Sequence, residues 1–293
     1  MTEARTRKRN PAGLLVLPAI IPAALVVTGG VGTTVLQSIG LMPVVGSPQL
    51  SGAAFWDGTT GSGVFGSGGE LLDSALLSLW IATASTVIAA TVGFVAAVLI
   101  ISGNWGGRVV ATLGAAVVTV PHLIGAATVG LLLSDAGVLP RLLGIPADTW
   151  PALVAGPSWF AVIFEYAWKE SAFVALIIVG TLATRITSYD ETASLLGASR
   201  FTRLRLVLLP LATPSLIIAS TITFVYTLGS FEVAWLLGRT YPEPLSVMAL
   251  RLFNSASLTS RPEAAAVAVV TVVVAAAVVS VAMLGLRRVR AWR

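Results

Sequence analysis

Long apolar runs constrain this chain more than any other feature of its sequence. Six stretches of about 20 or more residues contain few charged side chains: 13–39, 72–101, 109–133, 159–182, 213–237 and 264–286. A helix needs about 20 apolar residues to cross the hydrocarbon core of a bilayer, and it satisfies its own backbone hydrogen bonds there. The sequence therefore predicts an all-α polytopic membrane protein with six transmembrane helices.

The composition agrees with a membrane protein and excludes several other classes. Only 11% of the residues are charged and 56% are hydrophobic, whereas a soluble domain has roughly 25% charged residues. The chain has no cysteine, and His122 is its only histidine. Thiolate and polyhistidine metal sites and a cysteine nucleophile are therefore excluded. We predict no metal site and no catalytic residues in this chain.

The positions of Lys and Arg predict the orientation in the membrane. Most of the 18 basic residues lie in the first 12 residues, in the segment 183–212 and in the tail 287–293. Cytoplasmic loops are enriched in Lys and Arg, so we expect these three segments in the cytoplasm. The same distribution accounts for the net charge of +5, and we therefore predict no nucleic-acid partner.

The predicted spans divide the chain into an ordered set of segments. The first apolar run is too long for the core of a signal peptide, so we expect a retained membrane anchor. The predicted segments are a cytoplasmic N-terminus (1–12), a first transmembrane helix (13–39), an extracytoplasmic loop (40–71), a five-helix core (72–286) and a cytoplasmic C-terminus (287–293).

The segment 183–212, between the fourth and fifth runs, is longer than a helical hairpin requires. Ser188 and Glu191 have the spacing of a capping box, which predicts a short helix that begins at Ser188. We expect Gly197 to end that helix and a second amphipathic stretch to follow until Pro210 breaks it. Two short helices bent at a glycine could bind in a groove of a partner protein or lie on a surface of anionic lipid. The residues alone favour neither of these two interpretations.

The same segment resembles the EAA loop of permease subunits in binding-protein-dependent ABC importers. The family pattern is Glu-Ala-Ala, three residues, Gly, nine residues, an aliphatic residue, one residue and Leu-Pro. Five positions match it: Glu191, Ala193, Gly197, Leu209 and Pro210. Thr192 replaces the first Ala and Val207 replaces the usual Ile. The resemblance covers the chain from about residue 72 onward, and 229–242 with 261–264 look most like the spermidine/putrescine, iron(III) and thiamine branch.

This resemblance implies a MetI-like, type I importer permease fold and a coupling role for the loop. In the family, the bent helix docks in a cleft of an ATPase subunit, and the permease itself is not an enzyme. The residues that would couple the two subunits are Glu191 and Gly197 first, then Ala193, Ala198, Arg200, Arg203, Leu209 and Pro210.

The implied partners are two ABC ATPase subunits, a second identical or homologous permease, an extracytoplasmic solute-binding protein and the lipid bilayer. The implied location is the cytoplasmic membrane of a bacterium. The only lysines are Lys8 and Lys169, and neither lies in a phosphate-binding loop. ATP and Mg are therefore expected on the partner ATPase.

The fourth run carries three ionisable residues, which are costly inside a membrane. Glu165 and Lys169 are four residues apart and are predicted to form an intramembrane ion pair. A functional interpretation places Tyr166, Trp168, Glu170 and Glu232 along the translocation pathway. The alternative is that Glu165 and Lys169 fix helix packing and that Glu232 is solvated near the outer end. For His122, a hydrogen-bonded packing role is favoured.

Buried carboxylates would also suit a proton-coupled secondary transporter or a channel. Secondary carriers usually contain two matching halves, and this sequence shows no internal repeat. Carboxylates along a pathway favour a small, polar, polyamine-like solute, with a sugar or another solute as the alternative.

Overall fold

The computed structural model of the protein describes residues 12–57, 63–66, 70–182 and 186–291, and the regular elements among them are all helical. The predicted N-terminal segment up to residue 11, the first three residues of 183–212 and the last two residues lie outside the described part. The helices are α1 (Ala12–Ser38), α2 (Glu70–Ile101), α3 (Trp105–Thr119), α4 (His122–Leu133), α5 (Val138–Leu143), α6 (Phe160–Leu182), α7 (Ile186–Leu195), α8 (Arg200–Arg203), α9 (Leu209–Gly229), α10 (Glu232–Leu237), α11 (Leu245–Phe253) and α12 (Arg261–Ala291).

Five helical stretches in the described part are long and apolar enough to cross a membrane. They are Val16–Ser38, Glu70–Ile101, His122–Leu143, Arg200–Gly229 and Leu258–Arg288. α6 has 23 residues, but its three charged residues keep it outside this set. The predicted count of six spans is therefore not confirmed.

The predicted third span, 109–133, is not one helix. α3 ends at Thr119 and α4 begins at His122, with extended backbone at Val120 (ψ 125°) and Pro121 (ψ 144°) between them. Pro121 has no N–H to donate, and a residue that precedes proline avoids the α conformation. The 15 residues of α3 rise about 22 Å, which is less than the core of about 30 Å. α3 alone is therefore too short to cross the core, whereas His122–Leu143 forms a separate apolar stretch of spanning length.

The predicted fifth span, 213–237, is wrong at both ends, and Pro210 does not break the helix. A π-helical turn, Leu204–Leu208, joins α8 to α9, and the N–H of Leu209 bonds to the carbonyl of Leu204. This wider turn lets the chain enter α9 without the clash that a proline ring causes in a regular helix. At the other end α9 stops at Gly229, and 232–237 form the separate helix α10.

α6 lies at the centre of the bundle and packs against α2, α3, α4, α9 and α10. A buried apolar cluster around its first half includes Ile81, Val129, Val162 and Val233, and a second lies around its last half. Gly93 of α2 permits a close approach, because a Cβ there would lie 2.7 Å from the Ser171 carbonyl oxygen. The charged residues of α6 are therefore enclosed by protein.

Candidate functional site

The predicted bend at Gly197 is confirmed, and its backbone forms a Schellman motif. Gly197 has a φ of +79°, a conformation that is costly for residues with a Cβ. Its N–H donates to the Ser194 carbonyl at 3.0 Å, and the N–H of Ala198 donates to the Ala193 carbonyl at 3.0 Å. These two bonds satisfy carbonyls at the end of α7. Ala193, Gly197 and Ala198 therefore belong to one turn that reverses the chain between α7 and α8.

The predicted start of this helix at Ser188 is wrong. Ser188 lies within α7, which is already helical at Ile186, so it does not have the extended backbone of an N-cap. Glu191 also lies within α7, but its side chain lies outside the described part. The cap of the next helix is Ser199, whose hydroxyl accepts a hydrogen bond from the Thr202 N–H at 3.2 Å.

Large apolar side chains on both sides of the bend have no cover within the subunit. Leu195 is 89% exposed and Leu196 is 82% exposed at the end of α7, and Phe201 of α8 is exposed as well. The remaining predicted coupling residues follow in the chain: Arg200 and Arg203 lie in α8, and Leu209 and Pro210 begin α9. Contiguous exposed apolar groups with basic neighbours are typical of an interaction surface. We call residues 186–203 the coupling segment.

The second polar region lies where α4 begins beside α6. The Nδ1 of His122 lies 3.3 Å from one carboxylate oxygen of Glu165 and 3.5 Å from the other. Its Nε2 lies 3.3 Å from a carboxylate oxygen of Glu170. A doubly protonated ring can donate to both acids, whereas a neutral ring can donate to only one. The favoured hydrogen-bonded role of His122 is therefore confirmed.

Lys169 does not form the predicted ion pair with Glu165. Its Nζ donates to the carbonyl oxygen of Val117 at 3.3 Å and to that of Val120, and no ion pair joins Glu165 to Lys169 among the residues described. The break between α3 and α4 removes the next-turn partners of these carbonyls, although the carbonyl of Val117 still accepts the N–H of Val120 at 3.2 Å. The predicted ion pair is therefore wrong: the spacing of four residues places both side chains on one face of α6, but partners from elsewhere in the fold take both of them.

α9 completes this region from the opposite side. The hydroxyl of Thr223 donates to a carboxylate oxygen of Glu170 at 3.1 Å, and the ring of Tyr226 lies 4.8 Å from that of His122. The hydroxyl of Tyr166 lies 3.5 Å from the Ser230 carbonyl. We call His122, Glu165, Lys169 and Glu170 the polar cluster.

The four predicted pathway residues do not share one surface within the subunit. Tyr166 is buried in the core, and Glu170 belongs to the polar cluster. Trp168 is half-buried and borders a mainly apolar cavity of about 430 Å³ between α2, α3 and α6. Glu232 is half-buried at the first position of α10. Their role in the pathway stays a prediction.

Sequence reasoning missed Gly125, Thr223 and Tyr226, which contact the polar cluster. A Cβ on Gly125 would lie 2.8 Å from a carboxylate oxygen of Glu165 and 3.1 Å from the Cδ of Lys169. The available signal was Pro121, which marks a helix break inside an apolar run. A glycine one turn later fits the close approach of α4 to α6.

The comparisons with known proteins agree with this architecture. Residues 89–290, more than half of the chain, match the family described as the inner membrane component of binding-protein-dependent transport systems. A bacterial ABC transporter involved in the import of the acidic polysaccharide alginate has a similar fold, with a TM-score of 0.73 at 21% identity over 94% of this chain and 95% of that one. The methionine ABC transporter MetNI is similar with a TM-score of 0.55 at 19% identity, over 74% and 96% of the two chains.

Several curated permeases are similar in sequence. A probable ABC transporter permease of Pyrococcus horikoshii is 29% identical over 46% of this chain, and the match spans only 48% of that protein. The sulfate transport permease CysT of Salmonella typhimurium is 24% identical over 75% and 76% of the two chains. The spermidine/putrescine permease PotC of Escherichia coli is 27% identical over 70% of each.

The family match, residues 89–290, covers α3 to α11 and all but the last residue of α12, and so includes both the coupling segment and the polar cluster. The matches favour transport driven by a partner ATPase over the alternative of a proton-coupled carrier or channel. The chain belongs to the family of inner-membrane permease components of binding-protein-dependent ABC importers, and it has the type I importer permease fold.

Proposed function

We propose that this chain forms half of a solute pathway and that its coupling segment docks on an ATPase subunit, which binds ATP and Mg. The observation that carries the proposal is the exposed apolar bend around Gly197. Leu195, Leu196 and Phe201 would be shielded from water by a groove in the partner, and the bend sets their relative direction. Glu191, Arg200 and Arg203 would add polar contacts at its edge.

The complete assembly would contain two permease chains, two ATPases and an extracytoplasmic solute-binding protein. The coupling segment and both termini would face the cytoplasm, as the distribution of Lys and Arg indicates. α6 and α9 flank the coupling segment in the chain, so motion of the docked bend would reach the membrane through them.

The solute would be small and polar. The case for a polyamine rested on carboxylates along the pathway, and Glu165 and Glu170 are instead engaged by His122. Glu232 remains a half-buried acid that could bind a cation. The relative PotC is named for the transport of spermidine and putrescine. The relative CysT is named for sulfate. Uptake of radiolabelled putrescine, sulfate and maltose by the reconstituted complex would separate these classes.

A pair of glycine variants tests the docking. Gly197 and Gly103 both have positive φ, and a Cβ at either would meet no atom within 4 Å. Forcing a side chain into this conformation costs about 1–2 kcal/mol at each site. Gly197→Asp also places a charge inside the apolar bend, whereas Gly103→Asp lies in the separate loop between α2 and α3.

We expect Gly197→Asp to insert into the membrane but to lose ATPase binding or solute-stimulated ATP hydrolysis, together with uptake. Gly103→Asp should keep both. Co-purification of the ATPase, its stimulated rate and uptake in proteoliposomes measure these effects. Normal stimulation and uptake in Gly197→Asp would overturn the docking role of the bend.

A further inference from the structure

The break in the apolar run 109–133 leaves a helix end that needs hydrogen-bond donors. α3 ends at Thr119, and the carbonyls in the last turn of a helix lack the partners that the next turn would supply. Among the backbone groups described, the carbonyl of Val117 accepts only the cap N–H of Val120, at 3.2 Å. Lys169 of α6 donates from its ammonium group to the carbonyls of Val117 and Val120. A cation at this end also opposes the negative pole of the α3 dipole.

The other half of the span begins beside the acids of α6. His122 is the first residue of α4, and the carboxylate of Glu165 lies against Gly125 in its first turn. Negative charge is favourable at the positive end of a helix. α6 therefore places the cation Lys169 at the end of α3 and the anion Glu165 at the start of α4. These two residues are only four positions apart in the sequence of α6.

The three members of the polar cluster on α6 are buried. Glu165 is 0% exposed, Lys169 5% and Glu170 8%. A doubly protonated His122 would give two positive and two negative groups facing one another, and buried charges persist when they are paired in this way. Thr223 and Tyr226 link the cluster to α9. The cluster thus joins α3, α4, α6 and α9 at one point.

The chain path connects that point to the coupling segment. α6 ends at Leu182 and α7 begins at Ile186, while α8 passes through the π-helical turn directly into α9. α6 and α9 are therefore the two helices that any movement of the bend displaces first.

We propose that the polar cluster clamps the two halves of the broken span to α6 and α9, so that α3 and α4 follow these helices when the coupling segment moves. Lys169 and His122 are positioning residues in this scheme, not solute ligands. The inference rests on the proposed coupling function for its motion, but the clamp itself exists in the single subunit and is testable there.

The absence of cysteine permits a direct distance measurement between the two halves. Leu113 of α3 and Leu131 of α4 are both exposed and lie on either side of the break. The variant with Leu113→Cys and Leu131→Cys carries two spin labels, and pulsed electron resonance gives their distance distribution in the solubilised chain. Lys169→Met removes the ammonium donor, Lys169→Arg retains a cationic donor, and His122→Gln removes the link between the acids.

We expect a single narrow distribution in the parent chain and a broad one in Lys169→Met and His122→Gln, with Lys169→Arg closer to the parent. An unchanged distribution in Lys169→Met and His122→Gln would overturn the clamp. If Lys169→Met does not insert, His122→Gln provides the same comparison.

The transport readout uses the complete complex with its ATPase. Trapping the ATPase closed should shift the distance in the parent but not in Lys169→Met, and the ATP hydrolysed per solute should rise several-fold in that variant while the ATPase stays bound. An equal shift and an unchanged ratio in Lys169→Met would contradict the clamp. Failure of the parent chain to bind any ATPase would refute the proposed function and leave the clamp to be decided by the distances in the isolated subunit.

Discussion

The contact between Gly125 and Glu165 gives the sharpest test of the packing at the broken span. A Cβ on Gly125 would lie 2.8 Å from a carboxylate oxygen of Glu165, 3.1 Å from the Cδ of Lys169 and 3.4 Å from the ring of Trp168. The first distance is too short for a nonbonded contact, and the buried carboxylate is held by His122. Overpacking of this kind costs about 1–3 kcal/mol. We therefore expect Gly125→Ala to destabilise the protein by that amount.

Gly114→Ala is the matched control. Gly114 lies in α3, and a Cβ there would meet no atom within 4 Å. Alanine in place of an unhindered helical glycine is stabilising by about 0.5–1 kcal/mol. The two variants add the same methyl group to the two halves of one span, so we expect opposite signs of the change in stability.

Thermal unfolding of the detergent-solubilised chain, followed by tryptophan fluorescence, measures both changes. A loss of 1 kcal/mol lowers the Tm of a chain of this size by about 2–4 °C. Glu165→Asp withdraws the carboxylate from Gly125, so the cost of Gly125→Ala should be smaller in that background. Equal melting temperatures for Gly125→Ala, Gly114→Ala and the parent chain would refute the close packing of Glu165 on α4.

Three further predictions follow from other contacts. Gly93→Ala should lower the free energy of unfolding by about 1–3 kcal/mol, because its Cβ would meet the Ser171 backbone at 2.7 Å. Gly180→Ala should cost no stability, since a Cβ there would meet no atom within 4 Å. The melting temperatures of the two variants measure this difference. Ser199→Ala should remove the cap of α8 at a cost of about 1 kcal/mol, seen as faster amide exchange at 200–203 without loss of the bundle. Arg251→Gln should destabilise the chain by about 1 kcal/mol, because the Nε of Arg251 pairs with buried Glu243 at 2.6 Å, and Glu243→Gln in the same chain should recover part of that loss.

The sequence predicted the bend at Gly197 correctly because a local rule decides it. Gly adopts positive φ at low cost, and the hydrogen bonds from Gly197 and Ala198 involve only the preceding turn. The all-helical membrane fold can be predicted from the sequence as well, because it depends on the length of the apolar runs.

A turn at Pro121 could be predicted from the sequence, but the partners of Lys169 could not, because they depend on tertiary structure. Hydrophobicity continues through 109–133, so the run appears as one span although Pro121 interrupts its hydrogen bonds. Glu165 and Lys169 lie on one face of α6, but His122 and the carbonyls of Val117 and Val120 come from elsewhere in the fold. A spacing rule that considers one helix alone cannot take these competing partners into account.

At Pro210 the structure also differs from the sequence-based prediction. Its fixed φ and missing N–H predicted a break, but the π-helical turn before it gives the ring room and keeps the helix continuous from α8 into α9. Continuity at this point links the coupling segment mechanically to the membrane.

Site-directed cross-linking can detect contact between the bend at Gly197 and an ABC ATPase, because the chain has no native cysteine to compete. Leu195→Cys introduces a thiol at the most exposed part of the bend, and Leu142→Cys introduces one on α5; both leucines are exposed. α5 lies between the predicted third and fourth spans, and three crossings from a cytoplasmic N-terminus would place that segment outside the cell. A thiol-to-amine cross-linker applied to native membranes should join the bend to an ABC ATPase and leave the α5 site unlinked to it. A bend that yields no ATPase adduct, or the same adduct as α5, would contradict the account.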